Sequence, residues 1–293
     1  HNWPSALSAY RRLEEEGVSD LDNDLKQWRC LAELGEWDEL ANKVADRAGS
    51  RAIPAPPVAA ATSRVRFKTV AYDKRMAAYG AKAAWNLGDW ESLRTYVDMM
   101  SDEVSEDGGF LRAVLALHEE DHQEAKRCID TTRTLIEQRL TEVVSDSYVR
   151  AYDVAFRVQE LSELEEVIAF RESSGDRSGT DRQLAIRRMW DQRLRSCQPR
   201  VEFWQRSLAI RALVISTADD IEMRLKFAAL CRKDGRFNAA QTCLARLLDR
   251  RPEELSLDTL DPATCVAHPE VVFNYLKLHW SMAEKSADEA VTR

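Results

Sequence analysis

Hydrophobic positions along this chain recur at helical spacing. FLRAVLAL (110–117) and the row Ala125, Cys128, Ile129, Thr132, Leu135, Ile136 advance in steps of three and four. So do Leu225, Ala228, Ala229 and Leu244, Leu247, Leu248. No stretch alternates convincingly with period two, so the pattern predicts an all-α protein.

A short pattern punctuates these rows. GEWDEL (35–40), GDWESL (88–93), EDHQEA (120–125) and GRFNAA (235–240) share one frame, which HNWPSA (1–6) and SELEEV (162–167) also fit. Its third column reads Trp3, Trp37, Trp90, His122, Leu164 and Phe237, and its sixth Ala6, Leu40, Leu93, Ala125, Val167 and Ala240. Gly35, Gly88 and Gly235 suit the left-handed conformation that ends a helix. Asn2, Asp89 and Asp121 stand where an N-cap is wanted, and Asp121-x-x-Glu124 and Ser162-x-x-Glu165 have capping-box form. Each copy therefore predicts the turn of a helical hairpin, with the aromatic in the crevice and the small or aliphatic residue at the backbone approach.

The spacing supports a repeat. Trp3 to Trp37 is 34 residues and Trp90 to His122 is 32. Between Trp37 and Trp90 lies SRAIPAPPVAAATSR (50–64), whose Pro/Ala/Ser composition reads as a mobile insertion. A period near 34 points to tetratricopeptide-like helix pairs, stacked as an all-α solenoid over residues 1–171.

Composition agrees. Of 293 residues, 44% are hydrophobic and only 10 are Gly and 8 Pro, which leaves few turns per residue. No apolar run is long enough for a membrane span. The opening His1-Asn2-Trp3-Pro4 and the helical ending SADEAVTR read as a segment of a longer protein. Six cysteines without C-x-x-C pairing read as reduced core thiols of a cytosolic protein. Trp85, Trp190, Trp204 and Trp280 fall in apolar helical rows and are expected in the core. A net charge of −8 argues against nucleic acid as a partner.

Two stretches raise the question of chemistry. His118-Glu119-Glu120-Asp121-His122 spells H-E-x-x-H, the zinc-peptidase pattern. That chemistry needs both histidines on one unbroken helix. The repeat frame instead places a helix end at Glu120 and a new start at Asp121, so no metal site is expected. Glu163, Glu165 and Glu166 read as surface charges at a helix start.

The second stretch runs from Arg171 to Arg211, with ten arginines, five acids and no lysine, +5 in a chain of −8. Arginine suits multidentate contacts to phosphate or carboxylate. Arg206 and Arg211 stand in the apolar run WQRSLAIRALVI (204–215), where a cation needs an anionic ligand or an acidic partner. The competing readings are a solvated, ion-paired face and a pocket for a polyphosphate.

AAWNLGDWESLRTYV (83–97), DGGFLRAVLALHEEDHQEAKRCID (107–130) and SYVRAY with LSELEEVIAF (147–170) resemble the FAT domain of target of rapamycin (TOR) kinases. So do WDQRLRSCQPRVEFWQRSLAIRALVIS (190–216), LKFAALCRKDGRFNAAQTCLARLL (225–248) and HPEVVFNYLKLHW (268–280). These kinases belong to the phosphatidylinositol-3-kinase-related family. The resemblance implies a FAT solenoid that passes from tetratricopeptide-like to HEAT-like pairs over 182–293. It implies a non-catalytic scaffold that clasps the kinase domain of the same parent chain. Further implied partners are TOR complex subunits and small-GTPase activators, in the cytoplasm and at the lysosome or vacuole surface. It also implies a basic pocket for inositol hexakisphosphate, carried here onto Arg182, Arg206 and Arg211, with no catalytic cofactor. RESSGDRSGTD (171–181) departs from the family pattern as a longer Ser/Gly/Asp loop. The residues taken alone also fit a stand-alone tetratricopeptide-like module that binds a peptide in its groove.

Overall fold

The structure is a computed structural model. It describes residues 3–16, 21–51, 63–100, 105–143, 147–173, 177–256 and 262–291. Among these there is no β-strand, as the sequence predicts. Two compact units are present, His1–Glu165 and Glu166–Arg293.

The first unit contains α1 (Trp3–Glu15), α2 (Leu21–Leu34), α3 (Trp37–Arg51), α4 (Ser63–Leu87), α5 (Trp90–Met99), α6 (Glu106–His118), α7 (His122–Val143) and the start of α8 (Tyr148–Glu172). Successive helices pack as pairs, α1 with α2, α3 with α4, α4 with α5 and α6 with α7. Leu7, Leu25, Trp28, Leu31, Leu40, Val44, Tyr72 and Met76 form a buried cluster under α1 to α4. Helix α6 is apolar nearly all round, and Gly108 to Leu117 are buried except Arg112. A helix like this lies inside a stack rather than on its surface.

The second unit continues with α9 (Arg177–Ser196), α10 (Val201–Arg211), α11 (Ile221–Lys233), α12 (Phe237–Leu247), α13 (Pro262–Ala267) and α14 (Pro269–Val291). Its core joins Leu194, Trp204, Leu208, Met223, Phe227, Leu244 and Tyr275. Tyr275 also donates its hydroxyl to the Leu255 carbonyl at 2.7 Å.

The punctuation pattern marks helix junctions at four places. In each, the first-column residue is left-handed: Gly35 (φ 78°), Gly88 (φ 78°), Gly235 (φ 77°) and, without glycine, Glu120 (φ 63°). The backbone closes the same way each time. Glu36, Asp89, Asp121 and Arg236 donate to the carbonyls of Leu31, Ala84, Ala116 and Cys231 at 2.9–3.0 Å, which is the Schellman arrangement. Asp89 and Asp121 cap the next helix, accepting from the amides of Ser92 (3.1 Å) and Glu124 (2.9 Å). The third column opens that helix, and the sixth, at Leu40, Leu93, Ala125 and Ala240, is completely buried. The aromatics are half-buried at the helix crossing rather than enclosed.

Three expectations need correction. SELEEV is not a turn, because α8 runs unbroken through it. Its first column is Ser162, which donates back to the Val158 carbonyl at 3.3 Å and leaves the helix intact. Of the stretch 171–181, residues 171–172 close α8 and 177–181 open α9, while 174–176 lie outside the described residues. Trp280 is 70% exposed, although Trp85, Trp190 and Trp204 are buried as expected. A fifth left-handed closure, at Asp249 (φ 52°), carries none of the repeat letters. Most of the 50–64 insertion, and Asn2, lie outside the described residues. All six cysteines are free thiols, and four are buried.

Candidate functional site

The H-E-x-x-H letters fall across a helix junction. His118 is the last residue of α6, and His122 is the first of α7. Glu120 between them is left-handed, so the two imidazoles share no helix face. The His118 ring is stacked on Trp90 at the start of α5, with centroids 3.8 Å apart. Among the described residues, no group of three or more His, Cys, Asp or Glu side chains could hold a metal ion.

The arginine-rich segment folds into α9 and α10. Its three candidate residues are placed differently. Arg182 is exposed on α9, Arg206 is half-buried on α10, and Arg211 at the end of α10 is 1% exposed. Arg206 and Arg211 are five residues apart, about 140° around a helix, so they lie on different faces. Arg211 donates to the Trp190 carbonyl at 2.6 Å, and its guanidinium lies 3.7 Å from the Asp191 carboxylate. The acidic partner that an arginine in an apolar run requires is thus present.

Several other arginines in the segment are bound within the unit. Arg193 grips Glu166 with both terminal nitrogens (3.0 and 2.8 Å), and Arg195 pairs with Glu222 at 3.0 Å. Arg187 donates to the Asp219 carbonyl at 2.6 Å and Arg171 to the Leu213 carbonyl at 3.1 Å. Asp220, 9% exposed, faces this basic group. Burial pushes its carboxyl up, while Arg224, Arg211 and Arg187 pull it down. Arg211 serves as an internal tie between α10 and α9.

The glutamates of α8 differ from the sequence expectation. Glu166 accepts from the Trp190 indole at 2.5 Å as well as from Arg193. Glu165 is paired with Arg133 of α7 at 2.7 Å. Glu163 is completely buried, as is Glu160, at 1% exposure. Sequence reading missed Glu160 altogether. The signal was there, since Phe156, Glu160, Leu164 and Val167 lie on one stripe of α8, and the other three are apolar and buried.

Comparison with known proteins identifies the arrangement. A family model described as the FAT domain matches residues 77–292. The chain is 35% identical over 314 aligned residues to the serine/threonine-protein kinase TOR of Arabidopsis thaliana. It is 36% identical over 277 to mTor of Drosophila melanogaster, and 34% over 279 to TOR2 of Saccharomyces cerevisiae. These alignments cover 99%, 94% and 95% of this chain but only 12%, 10% and 10% of those proteins. Among the described residues no helix is long and apolar enough to cross a membrane. Paired helices closed by repeated left-handed turns, and a family match over most of their length, lead to one assignment: the chain belongs to the FAT domain family.

Proposed function

We propose that this chain is a non-catalytic scaffold segment of a larger TOR-type Ser/Thr kinase. In this reading it clasps the kinase domain of the same parent chain and restrains it. It also presents surfaces to TOR complex subunits and small-GTPase activators, in the cytoplasm and at the lysosome or vacuole surface. The observation that carries the reading is similarity over nearly the whole chain to TOR kinases of which it spans about a tenth. The mechanism is mechanical. A continuous buried seam such as α6 passes strain between helices, because packed interiors deform little.

The test is made in the full-length parent kinase. Leu117→Ala removes a completely buried side chain of α6 and is expected to change kinase activity towards a protein substrate. Unaltered activity in a variant shown by melting to be destabilised overturns the scaffold reading.

The arginine-rich rim is read as an inositol hexakisphosphate site, with Arg182 and Arg206 facing the ligand and Arg211 holding α10 to α9. The exposure of Arg182, the partial exposure of Arg206 and the burial of Arg211 support that division. Calorimetry is expected to show binding that weakens steeply with salt and is lost in Arg206→Glu. Binding unchanged in Arg206→Glu places the ligand elsewhere.

A further inference from the structure

Helix α14 is apolar on two sides. Val271, Tyr275 and Leu278, at most 2% exposed, belong to the core of the second unit, and Met282 packs against the same cluster. On another side Phe273 (57% exposed), Leu276 (48%) and Trp280 (70%) stand in solvent. Ala283 and Ala287, also exposed, continue that row. The five residues advance by three, four, three and four, the spacing of a two-helix coiled-coil seam. A contiguous apolar row of this kind on a surface marks a contact. Charges border it. Lys277 Nζ lies 4.0 Å from the centre of the Phe273 ring, and Glu284 accepts from the Trp280 indole at 2.5 Å.

The row is large at one end and small at the other, which makes it complementary to itself. Turned end for end, α14 of a second copy sets its Ala283 against Trp280 and its Ala287 against Leu276. Two-fold symmetry repeats both contacts. In that register Lys277 and Glu284 flank the seam, and each Lys277 meets the Glu284 of the other copy. On the opposite flank His279 meets Ser286, so no like charges are opposed.

We propose that the exposed face of α14 is a self-association surface: a second copy of this chain packs its own α14 on it, antiparallel, burying Trp280 against Ala283 and pairing Lys277 with Glu284. A helix of any other sequence could answer the apolar row. The chain's own letters answer size and charge together, in one register. One helix from each copy makes a contact at the small end of specific interfaces. The product is therefore a monomer–dimer equilibrium that follows concentration. The inference does not rest on the kinase reading, because it concerns the surface of this chain alone.

Sedimentation velocity on this chain tests the pairing. The sedimentation coefficient is expected to rise with concentration towards that of a dimer. Trp280→Glu is expected to hold the chain monomeric, with its helix content kept in circular dichroism because the side chain is exposed. Lys277→Glu is expected to weaken association about tenfold, since two ion pairs become two repulsions. Glu284→Lys is expected to do the same. An equimolar mixture of these two variants is expected to associate as well as the unsubstituted chain, because each flank of the mixed pair again joins opposite charges. An unsubstituted chain that stays monomeric as concentration rises overturns the proposal and leaves a helix of other sequence as the cover of this face. Association that survives Trp280→Glu lies on another face and overturns it as well. A mixture that associates no better than either variant alone overturns the antiparallel register.

Discussion

The imidazole of His118 lies flat on the indole of Trp90, with ring centres 3.8 Å apart and planes within 5°. A ring committed to stacking at a helix crossing is a packing group. His118→Ala is expected to lower stability by about 1 kcal/mol, the worth of an aromatic pair, read as a shift in the urea midpoint. Treatment with a zinc chelator is expected to leave the melting temperature unchanged. A chelator-induced drop would restore the metal reading of the H-E-x-x-H letters.

Glu120 occupies a left-handed position that glycine fills at the equivalent junctions. A residue with a Cβ loses roughly 1 kcal/mol there. Glu120→Gly is therefore expected to stabilise the chain by about that amount. Gly88→Ala is expected to destabilise it similarly, and purely through the backbone, since nothing lies within 4 Å of the added carbon. Denaturant unfolding of both variants checks the pair of signs.

Gly109 of α6 meets Thr132 of α7 with no room for a side chain. A Cβ at Gly109 would stand 2.0 Å from the Thr132 hydroxyl oxygen and 3.2 Å from its Cβ. The hydroxyl is itself fixed to the Cys128 carbonyl at 2.7 Å. Gly109→Ala is expected to cost about 2 kcal/mol through overpacking. The double variant with Thr132→Ala is expected to recover most of it, and a thermodynamic cycle measures the coupling.

Arg211 and Arg182 should separate in stability as they do in burial. Arg211→Ala removes a 1% exposed cation that binds the Trp190 carbonyl and faces Asp191, and is expected to cost about 3 kcal/mol. Arg182→Ala, on the exposed side of α9, is expected to stay within about 0.5 kcal/mol. Equal effects on thermal unfolding would contradict this division of roles.

Asp107 gives the chain an acid-sensitive element. Burial raises its carboxyl, but Lys82 and Arg157 outweigh that and hold it at about 2. Its contribution is present above the ordinary value of 3.8 and is lost as pH falls through about 2. The side chain is 37% exposed, so solvent screening limits the gain to about 1 kcal/mol. Asp107→Asn is expected to flatten the stability profile between about pH 4 and about pH 2, measured by urea unfolding at each pH.

Helix junctions were legible wherever backbone handedness was written into the letters. Gly35, Gly88 and Gly235 declared themselves, and Glu120 was legible because its neighbours Asp121 and Ala125 kept the frame. SELEEV misled because a capping-box spacing says nothing about whether the preceding residue can turn left-handed. Ser162 keeps helical hydrogen bonding, and α8 continues. Asp249 was missed for the opposite reason, since it turns left-handed with no aromatic or small residue in frame. The charge placement was less legible. Glu160 is linked through Arg157, one turn away on α8, to Asp107 and Lys82, which lie on other helices and far off in sequence. The acidic partner of Arg211 was anticipated only as a type, and Asp191 emerged when α10 packed on α9.

The junction at Glu120 shows that a hairpin can lose its glycine and keep every backbone hydrogen bond of the closure. Letters at that column can therefore drift while the architecture persists. Within such arrays, ancestry is better counted from the handedness of each corner than from recurrence of the residue that first made the corner easy.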